Sequence, residues 1–289
     1  RLSARSRIFH HGGKRRMGVK LLGKSIYRTL FANRFSYKLN TFLLECSLHG
    51  LGILNYENHR LSGERHFVGV TLRRWLRGID RPVFVDVGAN TGVYSSMLID
   101  AFPDCRLVAV EPHPSNFQRL RDALPPQVET MQAAVGAEQT ELKLFDRADV
   151  DGSSHASLYK EVITQLHQQT TVECRVDVLP LDQIAADACV SNIDLLKIDT
   201  EGHELEVLKG AAELLRSHSV SFIHLEFNEM NVYSRVFFRD LRDLLSDFKF
   251  YRLLPRSMIQ IPDTPLKSEI FAFQNVICVR RDRAPLLAA

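Results

Sequence analysis

The sequence contains no apolar run approaching the roughly eighteen residues that a membrane-spanning helix requires, so a soluble or peripheral protein is expected. Cysteine is sparse: five residues, at 46, 105, 174, 189 and 278, an odd number without a C-x-x-C pair. That excludes a disulfide framework and a structural zinc site, and points to a reducing, cytoplasmic compartment. Acid is missing from one whole segment. Residues 1–40 hold eleven Lys and Arg and no Asp or Glu, which leaves the remainder at −8 in a chain of net charge +3. There is no internal repeat. The chain does not open on methionine, and its first residues read as a processed or truncated start.

The basic segment has a pattern of its own. After an irregular start punctuated by Gly12-Gly13, Arg16, Lys20, Lys24 and Arg28 recur at four-residue steps beside Val19, Leu22, Ile26 and Leu30. This predicts a basic amphipathic helix. Three uses are open to it: packing its apolar side on the body, adsorbing to an anionic membrane surface, or binding nucleic acid. Nucleic acid is disfavoured, because no aromatic residues interleave the basic ones as a stacking platform. Helical spacing continues through residues 41–76, broken at Gly50-Leu51-Gly52. The domain reading is therefore a basic arm and helical cap over 1–76, followed by a catalytic domain over 77–289.

The most informative stretch is Pro82 to Tyr94. Val83–Val87 is an apolar run of strand length, and it ends in a turn with glycine at 88 and 92 before a helical pattern starts at Val93. Glycine there allows a ligand to lie against the backbone, beside the free amides of a helix N-terminus. A second strand, Leu107–Val110, ends at Glu111, where a carboxylate can accept both hydroxyls of a ribose. The loop lacks the third glycine of G-x-G-x-x-G, and Asp86 would repel a pyrophosphate. Asp86 suits a cationic amino-acid tail instead. S-adenosylmethionine combines such an ammonium group with a ribose and has no phosphate.

Asp86-Val87-Gly88-Ala89-Asn90-Thr91-Gly92, Val110-Glu111-Pro112, Ala134-Val135-Gly136, Leu196 to Glu204 and Val207 to Ala211 together resemble the FkbM family of class I methyltransferases. The resemblance runs from about residue 50 to about residue 279. It implies a Rossmann-like α/β fold: a seven-stranded, mostly parallel sheet in the order 3-2-1-4-5-7-6, with strand 7 antiparallel and helices on both faces. S-adenosylmethionine is the implied cofactor, held by Asp86, Gly88, Ala89, Asn90, Gly92, Glu111, Pro112 and Ala134. The implied reaction is O-methylation of a sugar, glycan or related polar metabolite.

The candidate bases sit at the ends of the fourth and fifth strands, Ile193–Ile198 and Ser221–Phe227: Asp199, Glu201, His203 and Glu226, with Asn228 beside them. Asp199 is preferred because strand 4 adjoins strand 1, although an acid there also suits a helix N-cap. Asp199, Glu201 and His203 are spaced to gather a cation, but that is a common coincidence and no metal is assigned. Neither Asn-Pro-Pro-Tyr nor Pro-Cys occurs, which argues against amide and pyrimidine-ring acceptors. The long polar stretch Asp146 to Gln169, with His155 inside it, reads as a substrate lid. An RNA methyltransferase and a non-catalytic cofactor-binding or membrane-recruited scaffold are the rival readings.

Overall fold

A computed structural model describes residues 11–149, 151–153, 156–166 and 168–283, with the side chains of 11–20 left aside. His155 lies outside the described residues. The chain divides into two units, Arg1–Gly50 and Leu51–Ala289. The boundary falls at Gly50, so residues 51–76 belong with the body rather than with the basic arm.

The first unit is a pair of helices, His11–Phe31 and Tyr37–Gly50. Asn33 caps the short turn Arg34–Ser36 between them by accepting the amides of Phe35 and Ser36 on its side-chain oxygen. The Tyr27 hydroxyl donates to Asn40 Oδ1 at 2.6 Å and ties the two helices together. Leu22, Ile26, Leu30, Phe35 and Phe42 are exposed. Among the described residues no helix is long and apolar enough to cross a membrane.

The second unit is built on β1 (Val83–Val87), β2 (Arg106–Val110), β3 (Glu129–Met131), β4 (Ala134–Val135), β5 (Thr140–Arg147), β6 (Thr171–Leu179), β7 (Ile193–Ile198), β8 (Val220–Phe227), β9 (Phe248–Leu254), β10 (Ser257–Gln260) and β11 (Gln274–Arg280). Eight of these form one sheet in the order β10-β9-β11-β8-β7-β1-β2-β3. Strands β3, β2, β1, β7 and β8 run parallel to one another, and β11 runs antiparallel to both β8 and β9. The expected order 3-2-1-4-5-7-6 is present, but the count of seven is corrected to eight. The extra strand, β10, doubles back on β9 after the Pro255-Arg256 turn. Strands β4, β6 and β5 make a separate three-stranded sheet, so the segments at 140–147 and 171–179 lie outside the main one.

Both faces of the main sheet are covered, and the two-residue period of a strand sorts its side chains between them. Val85, Val87, Val108, Val110, Leu196, Ile198, Ile223 and Leu225 enter one core. Their neighbours Phe84, Leu107, Leu195 and Phe222 enter the other, where Phe67, Leu72, Trp75 and Leu98 meet them. The helix Val93–Ala101 starts where the glycine loop predicts it. Two short helices, Glu204–Lys209 and Ala212–Arg216, follow Gly202. Gly210 marks the break, and a Cβ on it would meet the carbonyl oxygen of Gly136 at 2.0 Å. A turn of helix at Met230–Ser234 precedes the helix Phe238–Leu244.

Register is what turns this sheet into a site. Val87 pairs with both Val110 and Ile198, and Ile198 pairs with Leu225. The residues that follow, Glu111, Gly88, Asp199 and Glu226, therefore stand level along the carboxyl edge, where parallel sheets bind ligands.

Candidate active site

A cavity of about 660 Å³ opens at that edge, within the roughly 300–1,000 Å³ of small-molecule sites. Of the residues expected to bind cofactor, Gly88, Asn90, Glu111, Pro112 and Ala134 line it. Asp86, Ala89 and Gly92 do not. Asp86 is buried and receives the Ser95 hydroxyl at 2.6 Å, which turns it into the loop's foundation rather than its surface. Burial raises its carboxyl to about 6 against the pull of that hydrogen bond. Gly92 sits at the helix start with φ 85°, and a Cβ there would press on Leu120.

Glu111 is held from both sides. Its Oε2 accepts the amide of Asn90 and its Oε1 the amide of His113, each at 2.8 Å. A carboxylate oxygen has two lone pairs, so both remain able to accept a hydroxyl. Asn90 reaches this position in the left-handed region, φ 49°, which asparagine tolerates better than most residues. Burial lifts the Glu111 carboxyl to about 7, opposed by the two amides and assisted by the charges of Asp86 and Asp199.

The four expected acceptor-side residues, Asp199, Glu201, His203 and Glu226, all line the same cavity. Asp199 is not a helix cap: its Oδ2 accepts the Lys197 ammonium at 3.1 Å. Glu204 pins the loop instead, accepting the amides of Thr200 and Gly202 on Oε1 and the Asn231 amide group on Oε2. Glu201 adopts φ 54°, a strained conformation for a residue with a long side chain. Its carbonyl accepts the Ser157 hydroxyl from the long polar insertion. Burial first, then the charge of Asp199, pushes the carboxyls of both Glu201 and Glu226 well above the usual range. Asn228 donates to Glu226 Oε1 at 2.6 Å. Burial lowers His203 to about 4, leaving a neutral imidazole at physiological pH, with its Nδ1 3.2 Å from the Tyr159 hydroxyl.

Two buried groups absent from the expected set organise the rest. Lys197 is buried, yet Asp199, Glu64, Glu226 and Asp86 outweigh desolvation and keep it charged. Glu64 lines the cavity from the segment ahead of β1, with His59 Nδ1 and Ser62 Oγ each 2.8 Å from its Oε2. Burial opposes its charge, but His59, Lys197, His224 and Ser62 hold its carboxyl down at about 2. An acid opening a short helix reads in the sequence only as favourable to the helix dipole. Behind Lys197, the Tyr94 hydroxyl meets His224 Nδ1 at 2.7 Å, and His224 Nε2 meets Asn275 at 2.9 Å.

Asp199, Glu201 and His203 do not converge as cation ligands. Among the described residues the group that does is His113, Asp146 and Asp151. Asp146 is already committed there to the amides of Arg147, Gly152 and Ser153.

The donor set suits S-adenosylmethionine. Glu111 presents a diol acceptor, the backbone of Gly88 and Asn90 is open to the cavity, and buried acids exceed buried cations around it. The profile of the Methyltransferase FkbM domain matches residues 86–251, more than half of the chain. Methyltransferase sdnD of Sordaria araneosa is 30% identical over 46% of this chain and 61% of its own length. The 2-O-methyltransferase NoeI of Sinorhizobium fredii is 25% identical over 61% of this chain and 76% of its own. Hexuronic acid methyltransferase AglP of Haloferax volcanii is 25% identical over 58% and 62%. The chain thus spans less than two thirds of the length of sdnD and AglP.

The Glu111 carboxyl gives a pH prediction. Native Glu111 keeps a proton between about 4.5 and about 7 that the unfolded chain has released, so stability falls as pH rises through that window. Relative to Glu111→Gln, the parent protein should lose on the order of 3 kcal/mol of unfolding free energy from pH 4.5 to 7.5. Urea unfolding of both proteins at the two pH values measures it. A constant difference between them contradicts the assignment.

Proposed function

Because the chain belongs to the FkbM methyltransferase family, we propose that it transfers a methyl group from S-adenosylmethionine to a hydroxyl of a sugar, glycan or related polar metabolite. The observation that carries this reading is the level arrangement of Glu111, Asp199 and Glu226 on one cavity, acid at both the cofactor and acceptor ends. The relatives named for 2-O-methylation and for hexuronic acid methylation support an oxygen acceptor on a sugar.

When bound, S-adenosylmethionine supplies an electrophilic methyl group on a sulfonium. In this reading Glu111 receives the ribose hydroxyls, Pro112 and Ala134 border the nucleoside, and the backbone of Gly88 and Asn90 forms the floor. His203 packs near Gly136, the turn that follows Ala134, so we place it with the nucleoside rather than with the acceptor. Asp199 accepts the proton of the acceptor hydroxyl, and Lys197 holds its carboxylate in place. Glu201 and Glu226, whose carboxyls burial and the charge of Asp199 push well above the usual range, donate hydrogen bonds to neighbouring hydroxyls of the acceptor. Most of the acceleration comes from alignment in a dry cleft, where proximity contributes about 7–11 kcal/mol.

Transfer of labelled methyl to a panel of neutral and uronic sugars tests this reading, and incorporation at a hydroxyl is the expected result. Cofactor binding without transfer to any hydroxyl contradicts it. Asp199→Asn should lower turnover about 10²–10⁴-fold, the usual contribution of a positioned base, while binding of S-adenosylhomocysteine stays within a few-fold. Undiminished turnover would remove Asp199 from the mechanism.

We also propose that the amino-terminal unit adsorbs to anionic membrane surfaces. Exposed Leu22, Ile26 and Leu30 lie among Lys24, Arg28 and Arg34, with no acid before Glu45 to oppose them. The protein should co-sediment with vesicles rich in phosphatidylglycerol, lose that binding in high salt, and ignore phosphatidylcholine vesicles. Equal partition onto both lipids, or onto neither, contradicts the proposal.

A further inference from the structure

The cavity contains a carboxylate better suited to an ammonium group than Asp86. Resting on the cofactor reading above, we infer that Glu64 receives the ammonium of the methionine tail of S-adenosylmethionine. Asp86 lies beneath the floor with the Ser95 hydroxyl on its Oδ2 and does not reach the cavity surface. Glu64 lines the surface.

Its position is fixed by the chain around it. Gly63 lies in the left-handed region, φ 89°, and a Cβ there would meet the carbonyl oxygen of Leu254 at 2.4 Å. The backbone is thus clamped against the end of β9 one residue before Glu64. His59 and Ser62 then both bond Oε2, which orients the carboxylate. Lys197 on β7 contributes a positive charge that acts on it, so an ionised form is maintained although the group is buried.

Three carboxylates at the strand ends are committed elsewhere. Glu111 is held by two backbone amides at the end of β2, Asp199 takes the Lys197 ammonium, and Glu226 is bonded by Asn228. Burial and the charge of Asp199 disfavour the charged forms of Glu201 and Glu226, which suits hydroxyls rather than a cation. An ionised, desolvated carboxylate makes a stronger bond to an ammonium donor than a neutral acceptor does.

Isothermal titration of the full chain with two ligands tests the assignment. S-adenosylhomocysteine carries the amine, and 5′-methylthioadenosine keeps the nucleoside and thioether without it. Glu64→Gln should weaken S-adenosylhomocysteine at least tenfold and leave methylthioadenosine within about twofold, whereas Asp86→Asn should not change the ratio of the two affinities. His59→Gln, at an exposed position, should shift that ratio in the same direction as Glu64→Gln by loosening the carboxylate. An unchanged ratio in Glu64→Gln overturns the inference, as does a parent protein that binds both ligands equally. If circular dichroism shows Glu64→Gln unfolded, His59→Gln decides, and an unchanged ratio there overturns it. A parent protein that binds neither ligand rejects the cofactor reading itself, and the inference with it.

Discussion

In-register pairing of β2, β1, β7 and β8 is the constraint on which the rest of the molecule depends. The pairs Val87 with Val110, Val87 with Ile198 and Ile198 with Leu225 make β2, β1 and β7 end at one level, beside Glu226 near the end of β8. A one-residue slip would exchange the two faces of a strand, sending Val85 and Val87 into the core that now takes Phe84. The hydrophobic cores therefore enforce the alignment, and the alignment brings Gly88, Glu111, Asp199 and Glu226 to one edge. Binding and chemistry are consequences of packing that lies well away from either.

That edge carries an electrostatic cost, met by one buried cation. Lys197 points from β7 among Asp86, Asp199, Glu64 and Glu226, with its ammonium 5.5 Å from the Tyr94 ring centre. Without it these carboxylates would stand against one another in a medium that screens charge poorly. With it, Asp199 has an ion-pair partner and the Glu64 carboxyl is held low, while those of Glu201 and Glu226 are pushed up, so neighbouring acids take different roles. The remaining negative potential suits a ligand that is itself a cation.

Much of this architecture was legible in the sequence because the informative signals are local. A strand-length apolar run, a glycine turn and a helix start at Val93 follow from neighbouring residues alone, and so does an acid at the tip of β2. Glu204 appeared in the motif but its task did not, since a first-turn acid looks the same whether it faces solvent or pins a loop. Asp86 shows the reverse case: its place beside the glycine loop suggested a ligand contact, and in the fold Ser95, nine residues on in the first helical turn, donates to its oxygen. Glu64 was hidden because tertiary structure alone brings the segment ahead of β1 to the ends of strands far along the chain. The eighth strand was missed for a simpler reason: four residues after a proline turn carry too short a pattern to distinguish an edge strand from a loop.

A crystal structure of the protein with S-adenosylhomocysteine tests the central claim most directly. The account predicts both ribose hydroxyls within hydrogen-bonding distance of the Glu111 carboxylate, with the nucleoside against Pro112 and Ala134. Density for the ligand elsewhere, or a ribose turned away from Glu111, would contradict it.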